Sequence, residues 1–218
     1  GRLLDKANSV LGNLNSAHTN DRIQEIKKKT TPMLSKHYDD IMLNDELFAK
    51  IKQVYKHQDE LELGQEDKKV LQEYYEDFIR NGANLPSDKK ARLKEINEKL
   101  SSMMVQFGEN VLKETNKFKM VIKDKENLAG LPEGVINAAK EAAEDKDIED
   151  AWVFTIHKPS MIPFLKFSKK RELREKIFKA YINKGNHNDK LDNKDLIKEM
   201  VNLRVEKAHL LGYDNWSE

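Results

Sequence analysis

Six histidines, His18, His37, His57, His157, His187 and His209, are the side chains best suited to bind a transition metal or move a proton near neutral pH. A helical zinc site with its own base needs two histidines four residues apart on one face and a glutamate between them. No pair among the six has that spacing. The nearest fragment is Glu206-x-x-His209. Residues three apart share a helix face, and carboxylate-bridged di-metal bundles use two such pairs plus two further glutamates. One copy, in a sequence with 38 acidic residues, reads first as a solvated helix face. His57-x-x-Glu60 is read the same way. There is no Gly-x-Ser-x-Gly elbow and no Gly-x-x-x-x-Gly-Lys phosphate loop. Lys166, Lys169, Lys170, Arg171, Arg174, Lys176 and Lys179 gather around one segment, interrupted by Glu172 and Glu175. A solvated face with local salt bridges is the favoured reading, and an anion or substrate contact is the alternative. The residues themselves offer no catalytic constellation.

Composition narrows the classes. The protein has 218 residues, enough to bury a core. Lys+Arg total 39 against 38 Asp+Glu, a net charge of +1, without the basic excess of a nucleic-acid binder. Charged residues make up 35% and mean hydropathy is −0.79. No apolar run reaches the length of a membrane-spanning helix, and no basic-then-apolar leader opens the sequence. The absence of cysteine excludes disulfides, thiolate metal sites and a cysteine nucleophile.

The elements that must position any site are mostly helical. Leu3, Leu4, Val10, Leu11 and Leu14 mark a first amphipathic helix. Thr19-Asn20-Asp21 caps a second that runs through Ile23, Ile26 and Met33 towards Met42, with Pro32 expected to kink or divide it. A third starts at Asn44-Asp45-Glu46, and a fourth stops at Asn81-Gly82. A long fifth begins near Ser87, with a stripe of Ile96, Leu100, Met103, Phe107 and Val111. The period then changes to two. Residues 117–122 and 151–157 read as short strands, with an alanine-rich helix after Pro132 between them. Pro159 and Pro163 bracket a turn-rich piece. Helices over about 169–183 and 193–211 close the pattern, joined by a Gly185–Asp189 loop. Trp152 and Trp216 are expected in the core. Phe118, Phe154, Phe164 and Phe167 are expected to pack the small sheet onto the helices. The predicted fold is mainly α, a multi-helix bundle-like lobe with one two-stranded β element.

Several stretches together carry a family resemblance. They are Asn13–Asp21, Pro32–Ile41, Leu47-Phe48, Leu85-Pro86, Lys94–Ser102, Phe107–Val111, Leu128–Pro132, Pro159–Phe164, Arg171–Lys176 and Leu203–Gly212. In order and spacing this set resembles the N-terminal part of the dipeptidyl carboxypeptidases, within the thimet-oligopeptidase-like zinc metallopeptidases. The resemblance runs over essentially the whole sequence. It implies a helical protein whose lobes enclose a deep channel, with one zinc held by a His-Glu-x-x-His helix and a further downstream glutamate. It implies removal of C-terminal dipeptides from short peptides, in the cytoplasm, or in the periplasm or lipid-anchored if a leader was removed.

No His-Glu-x-x-His occurs in the sequence. The resemblance therefore carries no catalytic, cofactor-binding or metal residue onto any position here. Residues 1–218 are expected to form a single N-terminal helical lobe, an internal piece of a longer protein. Zinc is expected in the parent and not in this piece. The implied partners are short peptides in the channel and the missing C-terminal catalytic half, with no nucleic acid and no membrane. A lobe cut from its partner should expose a sizeable apolar face or self-associate. The oligo-endopeptidase branch of the same family and a non-catalytic helical scaffold or interaction module are the alternatives, with a di-metal helical bundle behind them.

Overall fold

The computed structural model describes residues 1–217. In sequence order the helices are α1 (Arg2–Ala17), α2 (Asp21–Met42), α3 (Asp45–Lys56), α4 (Gln65–Arg80) and the long α5 (Ser87–Lys117). Strand β1 (Met120–Ile122), α6 (Glu133–Glu144) and β2 (Trp152–Phe154) follow, then α7 (Lys158–Phe167), α8 (Arg171–Ile182) and α9 (Lys194–Leu211). Two single-turn 3-10 pieces, Gln58–Glu60 and Lys125–Leu128, complete the order. The described residues are thus mainly helical with one two-stranded antiparallel sheet, in agreement with the sequence reading. The protein divides into two compact units, residues 1–106 together with those from 196 onward, and residues 107–195.

In the first unit the polar caps sit where their chemistry requires. The Asn20 side chain accepts the Ile23 N–H at 3.0 Å, and Asn44 accepts the Leu47 N–H at 2.8 Å. Helix α4 ends as Asn81-Gly82 predicts, with Gly82 at φ +93° and its N–H on the Ile79 carbonyl at 2.9 Å. Pro32 does not divide α2, which runs unbroken through it. Losing one backbone bond in a 22-residue helix is outweighed by the turns on either side.

Apolar contact in this unit is concentrated at two places. Met42, Phe48, Phe78 and Ala83 form one buried cluster, where the Phe48 ring stacks 5.9 Å from both Phe78 and Tyr75. Ile96, Leu100 and Met103 of α5 bury against Leu203 of α9. The predicted α5 stripe thus holds through Met103. Helix α1 buries nothing fully: Leu3 is 82% exposed and Val10 60%. Leu4 and Leu11 line a shallow groove with Met33 and Leu34 of α2. An apolar face is therefore present on α1 and α2. Trp216 is not core: it is half exposed, with the Arg204 guanidinium 5.4 Å from its ring. An indole keeps this amphipathic position because a cation on its face compensates for incomplete burial.

In the second unit β1 and β2 pair with Met120 opposite Phe154, Val121 opposite Val153 and Ile122 opposite Trp152. Met120, Ile122, Phe154, Ile156, Phe164 and Ile177 form the centre of its core. The Phe154 and Phe164 rings meet at 4.6 Å and 60°. Phe118 and Trp152 pack at its edge, whereas Phe167 lies on the surface beneath the Lys166 ammonium. The segment around Pro159 and Pro163 is a helix, α7, rather than a run of turns. Pro159 sits in the first turn, where no N–H is needed, and Pro163 forfeits only one bond in a helix held down by Met161 and Phe164.

Candidate functional site

The metal-like fragments are taken up by other partners. The Glu206 carboxylate receives a two-pronged bond from Arg92, Nε to Oε1 at 2.6 Å and Nη2 to Oε2 at 2.9 Å. Arg92 also reaches Glu95 at 2.7 Å, and hydrogen bonding to Arg92 holds the Glu206 carboxyl below its ordinary range. His209, one turn on, places Nε2 3.3 Å from the Asp214 carbonyl. His57 bonds the Gln53 carbonyl through Nδ1 at 2.8 Å and stays on the surface. Of the basic run, Lys179 pairs with Glu175 at 2.5 Å and Arg174 donates to the Ser168 carbonyl at 2.5 Å. Among the described residues, no three His, Asp or Glu side chains converge on a point that could hold a metal ion.

Two polar networks were not legible as sites in the sequence. The first joins α2, α5 and α9. Asn97 donates to Asp39 at 2.7 Å and accepts from the Lys207 ammonium at 2.7 Å. Asp39 is buried, and desolvation raises its pKa against the lowering pull of Asn97 and Lys207. Burial likewise lowers the pKa of Lys207. The amide is thus a bridge between two charges that each resist desolvation. Replacing Asn97 by leucine is expected to cost about 2–3 kcal/mol at neutral pH, because Asp39 loses its donor inside the fold. Without that hydrogen bond the native pKa of Asp39 rises further. The deficit should therefore shrink as pH falls through that raised native value, which lies above the ordinary 3.8. Urea unfolding of both proteins across pH 3.5–7 checks this, and a pH-independent deficit would remove Asp39 from the explanation.

The second network shapes the loop between α8 and α9. The Lys194 ammonium gives its three protons to Asn186 Oδ1 at 2.9 Å, Asn188 Oδ1 at 2.8 Å and Asp192 Oδ2 at 2.7 Å. Chiefly through that Lys194 contact, with the backbone N–H groups of Lys194 and Asn188 adding to it, the Asp192 carboxyl is held down at about 2. Glu114 of α5 accepts the Gly185 N–H and meets His187 Nε2 at 2.6 Å. Asn193, 2% exposed, accepts from Asn110 at 2.9 Å and donates its own N–H to the Gly185 carbonyl at 2.8 Å. Gly185 takes φ +73°, and a Cβ there would stand 2.9 Å from the Asn193 amide nitrogen. The density of Asn and Asp over 186–193 is the sequence signal that marks such a self-bonded loop.

A cleft of about 280 Å³ lies between α6 and β2. Its helix wall is made of Gly134, Val135, Ala138, Ala139 and Ala142. Opposite them lie Val153, Phe154 and Thr155, with Pro159 and Ser160 of α7 at one end. No helix among the described residues is long and apolar enough to cross a membrane.

Comparison with known proteins agrees with the resemblance seen in the residues. Residues 164–218 match the family model described as Peptidase family M3. The whole sequence is 31% identical over 217 residues to a dipeptidyl carboxypeptidase of Escherichia coli, covering 32% of that protein. It is 30% identical over 219 residues to an oligopeptidase A of Haemophilus influenzae, covering 99% of this protein and 32% of that one. A probable cytosolic oligopeptidase A of Arabidopsis thaliana is 33% identical over 162 residues, covering 72% of this protein and 23% of its own length. The 218 residues span about a third of the length of curated relatives that they match from end to end. From the match at residues 164–218 and the similarity that runs from end to end, the protein is a relative of the peptidase family M3 proteins.

Proposed function

We propose that residues 1–218 are the N-terminal, non-catalytic part of a zinc peptidase of the M3 kind, which releases C-terminal dipeptides from short peptides in the cytoplasm. The observation that carries this reading is the end-to-end similarity to a dipeptidyl carboxypeptidase, with one third of that protein's length accounted for. The residues present do not fit a zinc site. Glu206 is committed to Arg92, His209 to a carbonyl, and no third donor converges on either among the described residues. Metal, base and scissile-bond chemistry are therefore assigned to residues outside this sequence. The part played by residues 1–218 is to wall the channel and limit the size of what enters.

The second reading is the oligo-endopeptidase branch, favoured by a 30% identity to oligopeptidase A over nearly the same residues. One experiment separates the two. A short N-blocked peptide is incubated with the full-length protein, with and without a zinc chelator, and the products are weighed by mass spectrometry. Stepwise loss of C-terminal dipeptides, stopped by the chelator, is the expected result. Internal cleavage moves the protein to the endopeptidase branch. Intact peptide under every metal condition overturns the enzyme reading in favour of a helical scaffold. Residues 1–218 alone are expected to leave the peptide uncut.

A further inference from the structure

We infer that the outward seam of α1 is a docking surface for a second copy of this protein, the two α1 helices lying antiparallel about a two-fold axis. The inference rests on α1 alone and stands apart from the enzymatic reading above.

Three observations carry it. First, α1 has two apolar faces, and α2 covers one of them. Leu4 and Leu11 turn to α2, where they meet Met33 and Leu34. Leu3, Ala7, Val10, Leu14 and Ala17 follow one another at alternating steps of four and three, the spacing that sets side chains in a single seam along a helix. That seam stands in water: Leu3 is 82% exposed, Val10 60% and Leu14 45%, and both alanines are exposed as well. It offers about 400 Å² of apolar side chain, comparable with the largest patch on an ordinary monomer. Second, α1 is not held by its own propensity. Its 16 residues include Asn8, Ser9, Gly12, Asn13, Asn15 and Ser16, all weaker helix formers than alanine. Such a helix depends on packing, yet no residue of α1 is fully buried. Third, charge is confined to one end. Arg2, Asp5 and Lys6 are the only charged residues of α1, and its last turn has no basic residue.

The occupant follows because the seam fits itself. A parallel pair would set Arg2 against Arg2 and Lys6 against Lys6. An antiparallel pair brings these cations alongside the last turn of the other helix. Its terminal carbonyls carry partial negative charge and have no cation of their own. Centred between Ala7 and Val10, the same arrangement sets Leu3 beside Leu14 of the second copy and Ala7 beside its Val10. Leucines close the two ends, and the small residues in the middle let the backbones approach. Two-fold symmetry makes each of these contacts occur twice. Pairing covers about 800 Å² of apolar side chain and about 1,000 Å² once the flanking Lys6 and Asn13 are included, the floor for a specific interface. The dimer is therefore weak and reversible.

Sedimentation equilibrium of the 218-residue protein tests the pairing. The average mass should rise from 25.4 kDa towards twice that value, with half of the protein paired near about 100 μM. Val10→Glu puts a charge in the middle of the seam and should weaken pairing at least about tenfold. Its thermal midpoint should stay near that of the parent, because Val10 faces water in the single copy. Orientation is read by crosslinking, and the absence of native cysteine makes this clean. Leu3→Cys and Leu14→Cys, mixed and mildly oxidised, should link to each other. Leu3→Cys alone should not link to itself, since the two positions stand about 16 Å apart along an antiparallel pair, too far for a disulfide. Crosslinking needs no charged substitution and so decides the matter even if Val10→Glu fails to fold. The proposal is overturned if the protein stays at 25.4 kDa up to about 500 μM, five times the expected midpoint, or if Val10→Glu pairs as well as the parent. Self-linking of Leu3→Cys that matches the mixture overturns it too. So does a full-length protein that stays single where residues 1–218 pair, because the seam is then covered by another part of that protein.

Discussion

Phe164→Ala is expected to lower the stability of the second unit by about 3–5 kcal/mol, the range for removing a fully buried aromatic ring. Phe164 is fully buried, lies 4.6 Å from the Phe154 ring, and shares a cluster with Met120, Ile156 and Ile177. The truncation removes apolar contact and leaves a space that neighbours on α7, α8 and both strands cannot close together. The edge-on contact with Phe154 is lost as well, worth about 0.5–1.5 kcal/mol beyond area. Thermal unfolding followed by circular dichroism should show a midpoint lower by about 10 °C or more. Phe167→Ala provides the contrast. That ring is 41% exposed beside Lys166, and its removal should cost about 1 kcal/mol or less. Equal losses at the two positions would place the core elsewhere.

Gly130→Ala should be nearly as damaging, by about 3 kcal/mol, for a reason that has nothing to do with lost contact. Gly130 sits at φ +91°, where L side chains are strained. An added Cβ would stand 2.4 Å from the Phe167 carbonyl oxygen and 3.2 Å from the Lys169 nitrogen. Both are backbone atoms, so neither can rotate aside. Moving them also pulls on the Lys169 N–H bond to the Ala129 carbonyl at 2.8 Å, which ties the end of α7 to the turn before α6. Gly108→Ala is the matched control. That glycine lies inside α5, and an added Cβ would meet nothing within 4 Å beyond its own helix backbone and neighbours. Alanine there should raise stability by about 0.5–1 kcal/mol through helix propensity. Denaturant midpoints of the two variants should therefore move in opposite directions. A Gly130→Ala protein with wild-type stability would show that the approach of Phe167 relaxes at little cost.

The contrast between these residues shows what was legible beforehand. Helix starts at Asn20 and Asn44 and the stop at Asn81-Gly82 were readable because capping is local chemistry, settled within three residues. The two strands were readable from β-branched and aromatic residues flanked by turns, although only three residues of each remain paired. Pro163 was misleading because a proline rule weighs one lost bond and not the burial of Phe164 beside it. Trp216 was misleading because hydrophobicity says nothing of whether a cation stands over the ring.

The candidate sites divide along the same line. The absence of cysteine and of a two-histidine zinc spacing could be read residue by residue. That Glu206 answers to Arg92 could not, since 114 positions separate them. Nor could the bridge from Asp39 through Asn97 to Lys207, nor the packing of β2 against α6. By itself the sequence determined the helical class, the caps, the short paired strands and the family to which the protein is related. Those depend on periodicity, local hydrogen bonds and the order of motifs. Tertiary structure alone decided which charges are buried, which glycines are indispensable and which aromatic rings lie in the core. Each of those depends on what distant segments bring within a few ångströms, where desolvation and steric exclusion act.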